Sequence, residues 1–243
     1  MSRFIFNRGG GEIPVPGNDS FTKILLHFEG ANGGTTFTDS NAGGVSATWS
    51  VVNVATTTTS EHKWGSAAYQ GTATGYIKSN QNAAYNAGSS DFTVDFWIKG
   101  SAALATTLQY LAGFGDPALS NNFGWSFYYD ASKLLRFNYQ NSGGTSAAAV
   151  TAATTIMDGA WHHIAGVRNG SLMKVYIDGV DATSVSSSAA GSMRGSGSYQ
   201  LYVGLFPTSG ATQCLQGNMD EFRYSVGIAR WTSGFTPPTG PYN

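Results

Sequence analysis

Residues 160–183 read AWHHIAGVRNGSLMKVYIDGVDAT, with Asn169-Gly170 and Asp178-Gly179 nine residues apart. Asn-Gly and Asp-Gly accept positive φ at both central positions of a type I′ turn, which joins adjacent antiparallel strands through only two residues. Between the two turns Met173, Val175 and Ile177 alternate with Leu172, Lys174 and Tyr176. That two-residue period sends the two sets to opposite faces of a strand. No 3.6-residue period survives both glycines. The stretch therefore predicts a three-stranded antiparallel meander.

The rest of the chain carries the same signal. Strands are expected near residues 22–29, 35–38, 47–55, 66–70, 74–79, 91–99, 107–114, 123–130, 133–140, 146–152, 161–168, 171–178, 180–185, 199–205 and 215–225. Short strands at even spacing with turn residues between them indicate a sandwich or barrel. Alternation is clearest in NFGWSFYYDASKLLRFNYQ, where Phe123, Trp125, Phe127 and Tyr129 are expected on one face and Leu135, Phe137 and Tyr139 on one face of the returning strand. Residues 1–20, with RGGGEIPVPGND, mix glycine and proline and read as an extended arm, either a linker or an anchor laid on a partner. Residues 21–243 are expected to form the folded domain, and the tail FTPPTGPYN leaves the sheet because proline cannot donate to a ladder.

Charge excludes several functions. Charged residues make up 11% of the 243, against roughly 25% in average proteins, and the net charge is −1. No basic patch marks a nucleic-acid partner. No run reaches the length of a membrane span, and the N-terminus lacks the apolar stretch of an ordinary secretory signal. A single cysteine, Cys214, rules out an intrachain disulfide and any CxxC motif; it reads as a small buried apolar residue.

The fragments LLHFEG, TTFTDS, KWGSAAYQG, DFTVDFWIK, WHHIAGVRNG, KVYIDGV, LYVGLF and GNMDEFRYSVGIARWTSGFTPPTGPY occur in that order. As a set they resemble the laminin-G-like, concanavalin-A-like jelly roll in the form common in tailed-phage structural genes, over about residues 22–242. The resemblance implies an all-β fold: an antiparallel two-sheet jelly-roll β-sandwich, here with an extended N-terminal arm. Members of the family bind glycans or proteins, or serve as structural modules, and fold alone does not choose among these roles.

Glycoside hydrolases of this general fold carry Glu-x-Asp-x-Glu on a concave-face strand. The nearest match here is DFTVDFW, with Asp91 and Asp95 as the outer carboxylates and Thr93 in the middle. On a strand their Cα atoms lie about 13 Å apart, at roughly 3.3 Å per residue, whereas a glycosidase pair needs carboxyl groups about 5–9.5 Å apart. No catalytic residue is expected. His162 and His163 are adjacent on a strand and point to opposite faces, so they share neither a metal nor a proton; His27 and His62 read as structural. The resemblance implies one structural Ca²⁺, for which Asp220 matches a late aspartate and Glu29 stands where relatives often have Asp. Asp39 is a weaker candidate that also fits a turn cap, and a pair of solvated carboxylates without an ion is the competing reading. Trp125, Tyr128, Tyr129, Tyr139, Trp161 and Tyr176 include candidates for a sugar-stacking platform, with Trp125, Tyr128 and Tyr139 foremost, although alternation sends at least half of these rings into the core. Trp49, Trp64, Trp97 and Trp231 read as core or fold-defining.

The expected function is a non-enzymatic structural component of a phage virion, such as a capsid decoration, collar or tail-associated protein. It is expected to be located on the particle, to bind other virion proteins through the arm, and to form a homo-oligomer there. The alternative is a carbohydrate-binding adhesin for host surface glycans, and a polysaccharide-degrading enzyme is the remote one.

Overall fold

The two turns of residues 160–183 form as tight hairpins, with one difference from expectation. In a computed structural model, which describes residues 17–116, 118, 122–195, 197–206 and 213–243, Asp178 and Gly179 both have positive φ, at 51° and 79°. They link Ile177 to Val180 as a type I′ pair. At the first turn Asn169 pairs with Leu172, so the two-residue loop is Gly170-Ser171, with positive φ at Gly170 alone. The turn is shifted one residue from Asn-Gly, and the glycine takes the first central position that a type II′ turn reserves for it.

The strands in chain order are β1 (Thr22–Leu26), β2 (Trp49–Val52), β3 (Thr56–Thr58), β4 (Ala68–Gln70), β5 (Tyr76–Ser79), β6 (Phe92–Gly100), β7 (Gln109–Gly115) and β8 (Phe123–Tyr129). They continue as β9 (Leu134–Gln140), β10 (Ser146–Ala153), β11 (His162–Asn169), β12 (Leu172–Ile177), β13 (Val180–Asp181), β14 (Thr183–Ser186), β15 (Gln200–Val203) and β16 (Gly217–Val226). Sheet A runs β13-β12-β11-β6-β16-β4-β3, with β1 also paired to β16; sheet B runs β14-β10-β9-β8-β7-β15-β5-β2. All these pairings are antiparallel, and the two sheets face each other as a jelly-roll sandwich.

Three expected strands differ. Residues 47–55 are strand only over β2, because Asn53 adopts φ 56° and turns the chain; β3 begins after them, in the other sheet. Residues 180–185 divide between β13 and β14, which lie in different sheets. Residues 35–38 form no strand; the segment after them is fixed instead by Asp39, whose Oδ1 accepts Leu25 N–H at 3.0 Å, and by the Ser40 N–H bond to Leu25 O.

The core lies between the sheets. Sheet A contributes Ile24, Leu26, Phe92, Val94, Phe96, Ile164, Met173, Val175, Phe222 and Tyr224; sheet B contributes Phe114, Trp125, Phe127, Tyr129, Leu135, Phe137 and Tyr139. Phe127 stacks on Phe137 at 4.5 Å, and Phe96 meets Phe127 edge-on across the sandwich at 5.6 Å. Such pairs add about 0.5–1.5 kcal/mol each beyond burial. Phe123 departs from the expected face. Phe114 pairs with Trp125 but Gly115 with Phe123, so Gly124 sits in a bulge and turns the Phe123 ring outward against Phe206 at 5.7 Å.

The outer face of sheet A is also covered. A second apolar cluster of Ala165, Val167, Tyr176 and Phe235 forms where the C-terminal segment crosses the sheet, with Trp231 stacked on Phe235 at 4.0 Å. Beneath this strap Asp95 and Arg223 form a fully buried ion pair, with Nε to Oδ1 at 3.0 Å and Nη2 to Oδ2 at 3.1 Å. The Tyr242 hydroxyl donates to Asp95 Oδ2, and its ring lies 3.8 Å from the Arg223 guanidinium. Burial alone would push the Asp95 carboxyl up; the Arg223 charge, aided by His163, overrides that and holds it at about 2.

Two stability effects follow. Gly166 has no room for a side chain, since a Cβ there would come within 2.5 Å of Phe127 and 2.8 Å of Phe137. Gly166→Ala is expected to cost about 1–3 kcal/mol by overpacking, read from denaturant unfolding. Asp95→Asn leaves the Arg223 charge buried without its counter-ion and is expected to cost about 3–5 kcal/mol at pH 7. Because the folded-state pKa of Asp95 is depressed, its contribution is present above about pH 4 and lost as pH falls toward 2. The variant's unfolding curve should lack that component of the acid limb.

Candidate ligand-binding face

Three places hold the residues singled out from the sequence, and they differ in chemistry. The first surrounds Asp220. In β16 the ladder to β6 slips between Asp220 and Arg223, and Glu221 takes φ 51°. The bulge re-aims two adjacent carboxylates. Asp220 Oδ2 accepts N–H bonds from Lys63 at 2.8 Å and Trp64 at 3.0 Å, and its Oδ1 accepts from Glu221 N–H. Glu221 Oε1 takes the His27 Nδ1 proton at 2.7 Å, and Oε2 takes Tyr242 N–H at 2.9 Å. Burial pushes the Asp220 carboxyl up to about 7 against the pull of those N–H donors, and the neighbouring Glu221 charge adds to the rise.

This arrangement does not fit the calcium site that the resemblance implies. Both Asp220 oxygens face backbone N–H donors, whose partial positive charge repels a cation. Glu29 is exposed and turned to Ser66, whose N–H and Oγ hold its oxygens. Asp39 Oδ1 is used by Leu25 and Asn41 as a turn cap. Among the described residues no group of three or more His, Cys, Asp or Glu is placed to hold a metal ion. The acidic pair of MDEFRY instead clasps the 63–64 loop and the C-terminal strap to the central strand.

The second place is the DFTVDFW strand. Asp95 is locked in its ion pair on the outer face of sheet A, and Asp91 Oδ1 accepts Gly170 N–H at the far turn. The structure does not bring these two carboxylates together. His163 is buried under the strap, its Nε2 3.2 Å from the Tyr242 hydroxyl, while His162 lies at the rim between Asp178 and Asp158. Hydrogen bonding to Asp178, and to a lesser degree Asp158, raises the His162 pKa. His62 is exposed. Cys214 is buried, and burial raises its thiol to about 11, so it is inert packing.

The third place is the outer face of sheet B. Of the three foremost platform candidates, Trp125 and Tyr139 are not on it: they are 0% and 1% exposed, wedged between the sheets against Tyr224 and Phe92. Strand alternation explains the correction, since both share the inward parity of Phe127 and Phe137. Tyr129 is in the core as well, Tyr176 lies beneath Phe235, and Trp161 is half-buried. Trp97 is buried against Trp64, as expected.

Tyr128, of opposite parity, is half-exposed on the outer face and begins an aromatic row. Its ring lies 5.1 Å from Tyr110, Tyr110 stacks on Phe206 at 5.9 Å, and Phe206 meets Phe123. Phe206 lies flat over Gly113 and Gly115, where any Cβ would come within 3 Å of its ring. Beside the row, Asn138 Nδ2 donates to Ser126 Oγ at 3.2 Å, and Arg136 sits directly across the ladder from Tyr128 with its Nε on Asp130. Phe206 and Ser126 are themselves buried, so the part of the row that faces solvent is the half-exposed pair Tyr110 and Tyr128. Two half-exposed rings beside an amide and a guanidinium on rigid strands suit a ligand with alternating apolar and hydroxylated surfaces. Sequence reasoning missed Tyr110, Phe123 and Phe206. Bulges break the alternation at Tyr110 and Phe123, and Phe206 lies beyond the end of β15, where no period applies.

Residues 70–226, about two-thirds of the chain, match the Laminin_G_3 family, the concanavalin A-like lectin/glucanases superfamily. No curated protein matches the chain. Among solved structures, the binding domain of Paraclostridial mosquitocidal protein 1 aligns with TM-score 0.63 and 16% identity, covering 86% of this chain and 50% of that one. The botulinum neurotoxin serotype G binding domain aligns with TM-score 0.62, 13% identity and coverage of 86% and 49%. A botulinum neurotoxin DC binding domain in complex with SialylT aligns with TM-score 0.60, 14% identity and the same coverage. The chain thus spans about half the length of these structures, and at such identities the likeness concerns the fold. With its two-sheet jelly roll and its family match across β4 to β16, the chain belongs to the concanavalin A-like lectin/glucanase superfamily.

Proposed function

We propose that this chain is a non-enzymatic glycan-binding module, displayed on the surface of a phage virion as an accessory structural component. The observation that carries the glycan reading is the pair of half-exposed rings Tyr128 and Tyr110 on the outer face of sheet B, backed by the buried Phe206 and flanked by the half-exposed Asn138 and Arg136. Sugar rings present apolar C–H faces to such rings and hydroxyls to the polar groups beside them. The non-enzymatic reading is supported by Asp95, the nearest match to a hydrolase carboxylate, which is spent in a buried ion pair under the strap. The reading needs no metal ion. The virion setting is supported by the resemblance of the ordered motifs to tailed-phage structural genes; attachment to other virion proteins through the arm of residues 1–20, of which 1–16 lie outside the described residues, and self-association on the particle, belong to the same proposal.

Two measurements test it. In a glycan array followed by titration calorimetry, Tyr128→Ala and Tyr110→Ala should each weaken binding about tenfold or more, the effect of losing roughly 1.4 kcal/mol at a contact centre. Glycan affinity unchanged in both variants would remove this face from consideration. Immunogold labelling of purified particles of the encoding phage should place the protein on the particle, and particles without label would refute the virion setting while leaving the glycan result untouched.

A further inference from the structure

On the opposite side of the sandwich from the aromatic row, the C-terminal strap and the outer face of sheet A enclose a groove of about 800 Å³. That volume lies in the range of small-ligand sites, roughly 300–1,000 Å³. Its walls are apolar and aromatic: Ile228, Trp231, Pro237, Pro238, Pro241 and the buried Tyr242. Two arginines reach it, but both are engaged. Arg223 is paired with Asp95, and the Arg230 guanidinium bonds Asp19 and Thr22. The groove therefore offers apolar contact and ring faces, with no uncommitted charge for an anion.

The described chain starts at the lip of this groove. Gly17 is itself part of the lining; its carbonyl accepts an Arg223 Nη1 bond, and Asn18 N–H donates to Asn243 O at 3.0 Å. A Cβ on Gly17 would come within 2.6 Å of the Asn243 backbone, so Gly17 is packed directly against the C-terminal segment. The sixteen residues before Gly17 read MSRFIFNRGGGEIPVP, and the four nearest the groove are Ile13-Pro14-Val15-Pro16. Alternating prolines hold an extended left-handed conformation at little entropic cost, and aromatic-lined grooves are the usual receptors for such segments. At about 3.1 Å per residue, four residues in that conformation span roughly 12 Å.

We propose that the groove is the seat of the chain's own N-terminal segment, with Ile13-Pro14-Val15-Pro16 packed against Trp231 and the prolines of the strap. The arm then leaves the domain in a fixed direction instead of as a free tether. The strap is held from both sides, by sheet A below and by the arm above.

Photo-crosslinking of the full chain tests this. With p-benzoylphenylalanine in place of Thr239, an exposed position in the groove lining, irradiation should yield a monomer-mass product in which position 239 is joined to a peptide from residues 1–16. A dimer-mass product would mean that a second copy's segment fills the groove, and crosslinks confined to other peptides, or none, would mean that the groove takes no arm; each overturns the proposal. A second readout leaves the groove wall intact. In protein labelled with 5-fluorotryptophan and assigned with Trp231→Phe, the double substitution Ile13→Asp/Val15→Asp should shift the Trp231 fluorine resonance. The other tryptophan resonances report whether the fold is retained. An unmoved Trp231 resonance in a folded protein likewise overturns the proposal.

Discussion

The buried pair of Asp95 and Arg223 organises the molecule. It joins the two central strands of sheet A, β6 and β16, across the ladder they share. Water is excluded from it, so the pair persists only because the remaining hydrogen-bonding capacity is also met. Arg223 reaches Gly17 at one end of the described chain, and Asp95 receives the hydroxyl of Tyr242 at the other. A charge pair that needs covering thus draws Gly17 and the C-terminal segment to the same place. The strap that covers it brings Phe235 and Trp231 down over Ala165, Val167 and Tyr176. The middle of sheet A is consequently covered on both faces, and half-exposed aromatic rings are left to sheet B.

The bulge at Glu221 complements this pair. By inserting a positive-φ residue into the longest strand, it turns two consecutive carboxylates toward different loops, one to Lys63 and Trp64 and the other to His27 and Tyr242. Acidic residues that look like metal ligands in one dimension are here acceptors for backbone N–H groups, which are obligatory hydrogen-bonding groups wherever they are buried. The N–H donors around Asp220 do for the loop what an ion does elsewhere.

Much of the architecture is legible in the sequence because a two-residue period and paired turn residues are local signals. The meander of β11 to β13, the inward set Met173, Val175 and Ile177, and the inward Trp125, Phe127 and Tyr129 all follow from alternation. The sites were less legible. Trp125 and Tyr139 were plausible ligand contacts by residue type, yet their parity put them in the core; Tyr128, one residue out of phase, faces outward. Phe123 obeys the alternation of its neighbours on paper and breaks it in space, because a bulge at Gly124 cannot be counted from composition. The early end of the 47–55 strand at Asn53, and the division of residues 180–185 between the sheets after Asp181, are likewise tertiary decisions. Phe206 reaches its place through the two side-chain-free positions at Gly113 and Gly115, a fit that only the folded sheet reveals.

The bond between Asn18 N–H and Asn243 O places the two ends of the described chain side by side on the outer face of sheet A. The aromatic row lies on the outer face of the other sheet, with the whole thickness of the sandwich between them. The aromatic row is therefore turned away from Asn18 and Asn243, like the front of a plate held by its back. Because Asn18 and Asn243 are neighbours, the unit they bound is also topologically portable: it can be spliced into a loop of another protein with little demand on that loop's span.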